Sequence, residues 1–147
     1  MITYKSKNLT FFVPEQIEDA GANFFDTGIS AGFPSPADDF KEQRLSLDEE
    51  LVKNKEATFY ARVSGQSMIG AGLDDNDLLI VDRSLEPKNN KIAVCFLDGE
   101  FTVKRLRVER DEVWLLPENP NYPPIKVTED NDFVIWGIVT NVIKKVY

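Results

Sequence analysis

Apolar and polar residues alternate along most of the chain after residue 57 and predict an all-β domain. Short strands separated by turn residues are typical of partly barrel-like folds. Asp98-Gly99 indicates a hairpin turn, and Gly137 predicts a bend in the last strand. The predicted strands cover residues 58–63, 78–81, 91–97, 101–108, 113–116 and 133–142.

One short helix is predicted in front of these strands. Ser46 and Glu49 have the spacing of a capping box. Leu47, Leu51 and Val52 are expected to form its buried side, and the helix should end near residues 54–55.

Glycine, proline and aspartate punctuate residues 1–40, where we expect an extended N-terminal arm with one short strand near residues 11–14. A frayed terminus is the alternative interpretation. The predicted division is an arm over residues 1–40 and a β-rich domain with one flanking helix over residues 41–147.

Composition narrows the possible chemistry. The chain of 147 residues contains no histidine and one cysteine, Cys95. This excludes histidine-dependent triads, an internal disulfide and the common zinc sites, so we predict neither a metal nor a cofactor.

The net charge of -8 argues against sequence-specific DNA binding and favours protein partners. No apolar run has the length of a membrane span or a secretory leader, and we expect a cytoplasmic protein.

Ser67 is the candidate nucleophile because it lies in a glycine-rich bend between two apolar runs. The bend is neither a P-loop nor a Gly-x-Ser-x-Gly elbow. Backbone N–H groups in such a bend can stabilise an oxyanion. An ordinary turn is the alternative interpretation, and without histidine the base must be a lysine or a carboxylate.

Lys104 is the candidate base. Strand alternation places it on one face with Thr102 and Leu106, among apolar neighbours. Burial there would lower its pKa from about 10.4, as a general base at neutral pH requires. A lysine on an edge strand that points into water is the alternative.

Three other features have simpler interpretations. Cys95 lies between apolar residues and is expected to be a core thiol. Asp74, Asp75 and Asp77 do not have EF-hand spacing and predict a solvated turn. The small residues Ala31-Gly32, followed by prolines, would suit an extended bond in a protease cleft, or simply a loop.

In combination, these motifs resemble the LexA/UmuD/phage-repressor family of self-cleaving serine peptidases, and its UmuD-like members in particular. The similarity runs from about residue 28 to the C-terminus. The matching motifs are Ala31-Gly32, Gly65-Gln66-Ser67-Met68 with Gly72-Leu73, Asp77-Leu78-Leu79-Ile80-Val81-Asp82-Arg83, and Phe101-Thr102-Val103-Lys104-Arg105-Leu106.

The resemblance implies that Ser67 is the nucleophile, Lys104 the general base and Ala31-Gly32 the cleaved bond. It also implies a homodimer, cleavage stimulated by the RecA–single-stranded-DNA filament, and a shortened form that joins a Y-family (UmuC-like) polymerase in error-prone translesion synthesis. Only 31 residues precede Gly32, which favours this role over a repressor with a helix-turn-helix domain. A LexA-like regulator without a DNA-binding domain and a non-enzymatic polymerase-binding module are the alternatives.

Overall fold

The structure is a computed structural model that describes residues 2–5, 9–12, 22–25 and 42–147. The chain forms two compact units, one of Met1–Pro14 with Asn54–Tyr147 and the other of Glu15–Lys53. The boundary predicted at residue 40 falls within the second unit, and the division into an arm and a peptidase domain stays a prediction.

Most described residues lie in strands, which confirms the mainly β prediction. The elements are β1 (Ile2–Lys5), β2 (Leu9–Phe12), β3 (Ala22–Phe25), β4 (Glu42–Leu45), α1 (Leu47–Leu51), β5 (Thr58–Val63), β6 (Leu78–Asp82), β7 (Ile92–Leu97), β8 (Glu100–Glu109), β9 (Glu112–Leu116), β10 (Ile125–Val127) and β11 (Phe133–Ile143).

Nine strands of the first unit form one curled sheet in the order β1-β2-β5-β6-β11-β7-β8-β9-β10. Every pairing described between them is antiparallel. The larger of two buried clusters joins β2 and β5 to β6, β7 and β8, and the smaller one lies between β7, β8, β9 and β11. The larger cluster therefore brings β2 and β5, from one half of the sheet, together with β8 from the other half.

The two predicted bends are confirmed. Asp98 and Gly99 both have positive φ, 48° and 88°, as a tight hairpin turn requires. The β7–β11 register shifts between Ile135 and Gly137. A Cβ on Gly137 would lie 2.6 Å from a methyl carbon of Val81, so close packing against β6 requires a residue without a side chain.

In the second unit, β3 pairs with β4 and α1 follows directly. The Ser46 hydroxyl accepts a 3.5 Å hydrogen bond from the Glu49 backbone N–H, as the capping pattern predicts. The predicted extent and buried side of the helix are wrong: α1 ends at Leu51, and Leu47 is 63% exposed. Five residues make about one and a half turns, too few to present a continuous apolar face.

Within the part of the chain that the structure describes, no helix is long and apolar enough to cross a membrane.

Candidate active site

Lys104 and Ser67 meet in the first unit although 37 positions separate them in the sequence. Lys104 lies opposite Ala93 in the β7–β8 ladder and is only 6% exposed. Because β8 is paired on both sides, the water-facing edge-strand alternative is wrong. The Lys104 ammonium Nζ donates a 3.0 Å hydrogen bond to Ser67 Oγ.

Two further acceptors fix the Lys104 amine. Its Nζ donates to Thr102 Oγ1 at 2.7 Å and to the Val103 carbonyl at 3.2 Å. Thr102 stands two residues before Lys104 on the same strand face, so the alternation of β8 provides this contact. The three partners leave the amine little freedom to turn away from Ser67.

Burial lowers the pKa of Lys104 below its usual value of 10.5. A negative charge on the neighbouring Cys95 sulfur would oppose this shift. Burial, however, raises the pKa of the Cys95 thiol to about 12, so the thiol is neutral at physiological pH. The environment of Lys104 therefore favours the neutral amine that a general base must be.

Ser67 follows β5 in a loop anchored by two apolar side chains, Met68 and Leu73, which are 3% and 2% exposed. Near the start of the loop, Gly65 has a φ of 111°, and its N–H donates to Asp75 Oδ1 at 2.9 Å. The loop closes with a short 3-10 turn over Ile69–Ala71.

A segment after β9, Glu118-Asn119, is hydrogen-bonded to the same loop at three points and is called the clamp below. The Glu118 N–H donates to the Ser67 carbonyl at 2.8 Å, and the Glu118 carbonyl accepts from the Gly70 N–H at 2.7 Å. Asn119 Nδ2 donates to the Gln66 carbonyl at 2.9 Å. The backbone on both sides of Ser67 is thus tied to the segment that follows β9.

The acidic turn that follows this loop differs from its prediction. Lys144 Nζ pairs with Asp74 Oδ2 at 2.5 Å and with Asp77 Oδ2 at 2.6 Å. The Asp77 carboxylate also accepts the Asp74 N–H, and Asp77 is only 5% exposed. The prediction of a solvated turn is therefore wrong for Asp77, which connects the turn to the end of β11.

A cavity of about 120 Å³ opens beside Ser67 and Lys104. Its walls include the apolar side chains of Leu9, Val63 and Tyr122. Such a wall suits an uncharged peptide segment. The predicted cleavage bond, Ala31-Gly32, lies outside the described residues.

Sequence reasoning missed the clamp and the contribution of Leu9. Glu118 acts through its backbone, so its residue type carries no signal. Asn119 lies in a proline-rich stretch, where an asparagine side chain often forms hydrogen bonds with backbone. This was only a weak sign of its role in the clamp. Leu9 lies upstream of the first predicted strand.

Comparison with known proteins agrees with the predicted resemblance. A family model described as Peptidase S24-like matches residues 23–140. MucA of Salmonella typhimurium is 44% identical over 119 residues, which cover 80% of this chain and 81% of MucA. SamA of Salmonella typhimurium strain LT2 is 40% identical over 138 residues, or 93% of this chain and 96% of SamA. ImpA of Escherichia coli is 43% identical over 115 residues, or 78% of each chain.

These relatives are UmuD-like and support a UmuD-like family role in the SOS response, within a family of self-cleaving serine peptidases. The chain belongs to the Peptidase S24-like family.

Proposed function

We propose that this protein cleaves its own Ala31-Gly32 bond with Ser67 as nucleophile and Lys104 as general base. The observation that supports this proposal most strongly is the 3.0 Å hydrogen bond between Nζ of the buried Lys104 and Ser67 Oγ. In a chain without histidine the base must be a lysine or a carboxylate, and a Ser-Lys pair meets that requirement.

The contacts around Nζ support the assignment of the base. A neutral amine has two N–H bonds and one lone pair. Thr102 Oγ1 and the Val103 carbonyl can accept the two N–H bonds. The lone pair is then left for the Ser67 hydroxyl, which turns from acceptor to donor. This is the arrangement from which Lys104 can remove the hydroxyl proton.

The reaction is an acyl transfer in two steps. As the Ser67 oxygen attacks the Ala31 carbonyl carbon, its proton passes to Lys104 Nζ. Lys104 then protonates the Gly32 nitrogen, the peptide bond breaks, and residues 1–31 remain as an ester on Ser67. Water, deprotonated by Lys104, hydrolyses this ester and regenerates both side chains.

In the cell, we place this cleavage under the control of a RecA–single-stranded-DNA filament. The shortened homodimer would then join a Y-family polymerase in error-prone translesion synthesis in the bacterial cytoplasm. The UmuD-like relatives support this role. The net charge of -8 supports contact with the filament through protein rather than through DNA phosphates.

The test is intact mass spectrometry of the purified chain with activated RecA filament, beside Ser67→Ala. We expect fragments 1–31 and 32–147 from the wild type alone. If the wild-type chain stays intact with the filament and binds the Y-family polymerase as well as Ser67→Ala does, the protein is a binding module rather than a peptidase. A fragment boundary elsewhere would refute Ala31-Gly32 as the site.

A further inference from the structure

Strand β2 is part of the sheet that carries the active site, and it pairs with β5 along its whole length. Leu9 lies opposite Val63, and Phe11 lies opposite Ala61. On its other side β2 pairs with β1. Without residues 2–12, β5 would be the edge of the sheet.

The side chains of β2 alternate between core and surface. Leu9 and Phe11 are 1% and 2% exposed, whereas Thr10 and Phe12 are half-buried. The Phe11 ring lies 4.7 Å from the Trp136 ring and 4.9 Å from the Phe101 ring, measured between centroids. Beneath β2 is therefore a groove that takes apolar side chains at alternate positions of a strand.

The only covalent link between β2 and β5 passes through residues 31–32. If the proposed cleavage occurs, β1 and β2 belong to the released fragment and are held to the body by hydrogen bonds and packing alone. Before cleavage the tether keeps the local concentration of β2 high, and after cleavage any free segment competes with it on equal terms.

We propose that the groove beneath β2 is a strand-binding site for a partner protein, occupied by the chain's own β2 until cleavage. This inference rests on the proposed function for the event that vacates the groove. The partner supplies an extended segment with apolar side chains at alternate positions, as Leu9 and Phe11 are placed.

Two physical features favour a strand as the occupant. Once β2 has left, the β5 edge offers unpaired backbone N–H and C=O groups that an added strand satisfies. The groove floor offers Phe101 and Trp136, against which an aromatic side chain in the position of Phe11 packs edge to face. Backbone pairing supplies affinity, and these rings supply selectivity.

The test uses the full chain with Ser67→Ala and the recognition sequence of an added endopeptidase inserted between Ala31 and Gly32. The probe is a fluorescent synthetic peptide of residues 1–14, measured by anisotropy before and after the cut. We expect saturable binding to the cut chain and at least about tenfold weaker binding to the uncut chain.

Peptide variants provide a matched control within the same strand. The Phe11→Ala peptide should bind the cut chain at least about tenfold more weakly, because it loses the buried ring, whereas Phe12→Ala should change binding little. Equal binding to cut and uncut chains, no binding to the cut chain, or equal effects of the two substitutions would overturn the proposal.

Because the added endopeptidase makes the cut, the result does not depend on Ser67 or Lys104. A wild-type chain that never cleaves itself would refute the proposed function while peptide binding to the cut chain still supports the groove. In the uncut chain, Phe11→Ala should lower Tm by about 10 °C, several times more than Phe12→Ala. Equal Tm values would show that β2 is not packed in the groove.

Discussion

The two members of the candidate dyad are held by different kinds of structure. Lys104 is part of a continuous β-ladder, opposite Ala93, with strands on both sides of β8. Ser67 lies in a loop held by two buried side chains and by individual hydrogen bonds, among them those to Glu118 and Asn119. A residue in a β-ladder is displaced only when its strand shifts register, whereas a residue in a loop is displaced when a single local contact is lost.

The difference predicts which substitutions separate stability from activity. Burial of the Lys104 amine destabilises the fold, and its place in the β-ladder is rigid. Removing it should therefore slow cleavage strongly and stabilise the fold. The clamp residues contribute little to the apolar core. Weakening the clamp should therefore slow cleavage and have a smaller effect on stability than on the cleavage rate.

The largest effect is expected for Lys104→Met. Loss of the base should slow self-cleavage by about 100-fold or more. A buried methionine needs no protonation change, so the free energy of unfolding should rise by about 1 kcal/mol or more at neutral pH. Cleavage is followed by mass spectrometry and stability by urea denaturation.

This stability gain has a defined pH dependence. Burial lowers the pKa of Lys104 in the fold, so the unfolded chain binds more protons and wild-type stability rises with pH. The advantage of Lys104→Met should therefore shrink as pH approaches about 10.4. Lys126→Met, at a half-exposed lysine paired with Glu112, is the control and should change neither quantity appreciably. A destabilised Lys104→Met would contradict this account of the buried amine.

Gly70→Ala should separate the clamp from the nucleophile loop. A Cβ on Gly70 would lie 2.5 Å from the Glu118 carbonyl oxygen, so backbone must move. Displacing Ser67 by about 1 Å should slow cleavage by about 100-fold. Gly99→Ala is the control: its positive φ makes it destabilising too, but it lies at the β7–β8 turn and should leave cleavage nearly unchanged. Equal rates in the two variants would refute the clamp.

Asn119→Ala should have a smaller effect because it removes one of the three clamp hydrogen bonds. Loss of about 1 kcal/mol of positioning corresponds to about fivefold in rate. Asn121→Ala is the matched control, since Asn121 contacts Asn119 through its backbone N–H, which alanine keeps. Single-turnover cleavage rates compare them, and a slower Asn121→Ala would argue for loop disorder instead.

The smallest effect is expected for Glu118→Gln. Glu118 contacts the loop through its backbone, and its side chain forms a partly exposed ion pair with Arg105. Such pairs contribute about 0–1 kcal/mol, so the rate should change by less than about twofold at physiological salt. A large loss in the cleavage assay would give the carboxylate itself a role in the site.

Alternation predicted the strands after residue 57 except β10, because their own residues pack against the core. It also placed Lys104 among apolar neighbours, but it did not exclude a lysine that points into water. The clamp could not be predicted, because backbone atoms make two of its three hydrogen bonds. Strands β1, β3 and β4 were also missed. Glycine, proline and aspartate punctuate the surroundings of β1 and β3, and β4 is largely polar, yet the pairing of β1 with β2 and of β3 with β4 overrides these local signals. That Ser67 and Lys104 meet came only from the family resemblance, since no local spacing connects positions 37 apart.

The most direct test of the Ser-Lys dyad is the pH dependence of self-cleavage in the purified chain, measured by intact mass from neutral pH to about pH 10.5. Only the neutral amine can accept the Ser67 proton, so the rate should rise about tenfold per pH unit and then level off. Because burial lowers the pKa of Lys104, the plateau should begin below the ordinary lysine value of about 10.4. A rate independent of pH, or cleavage of Lys104→Met at the wild-type rate, would contradict the dyad.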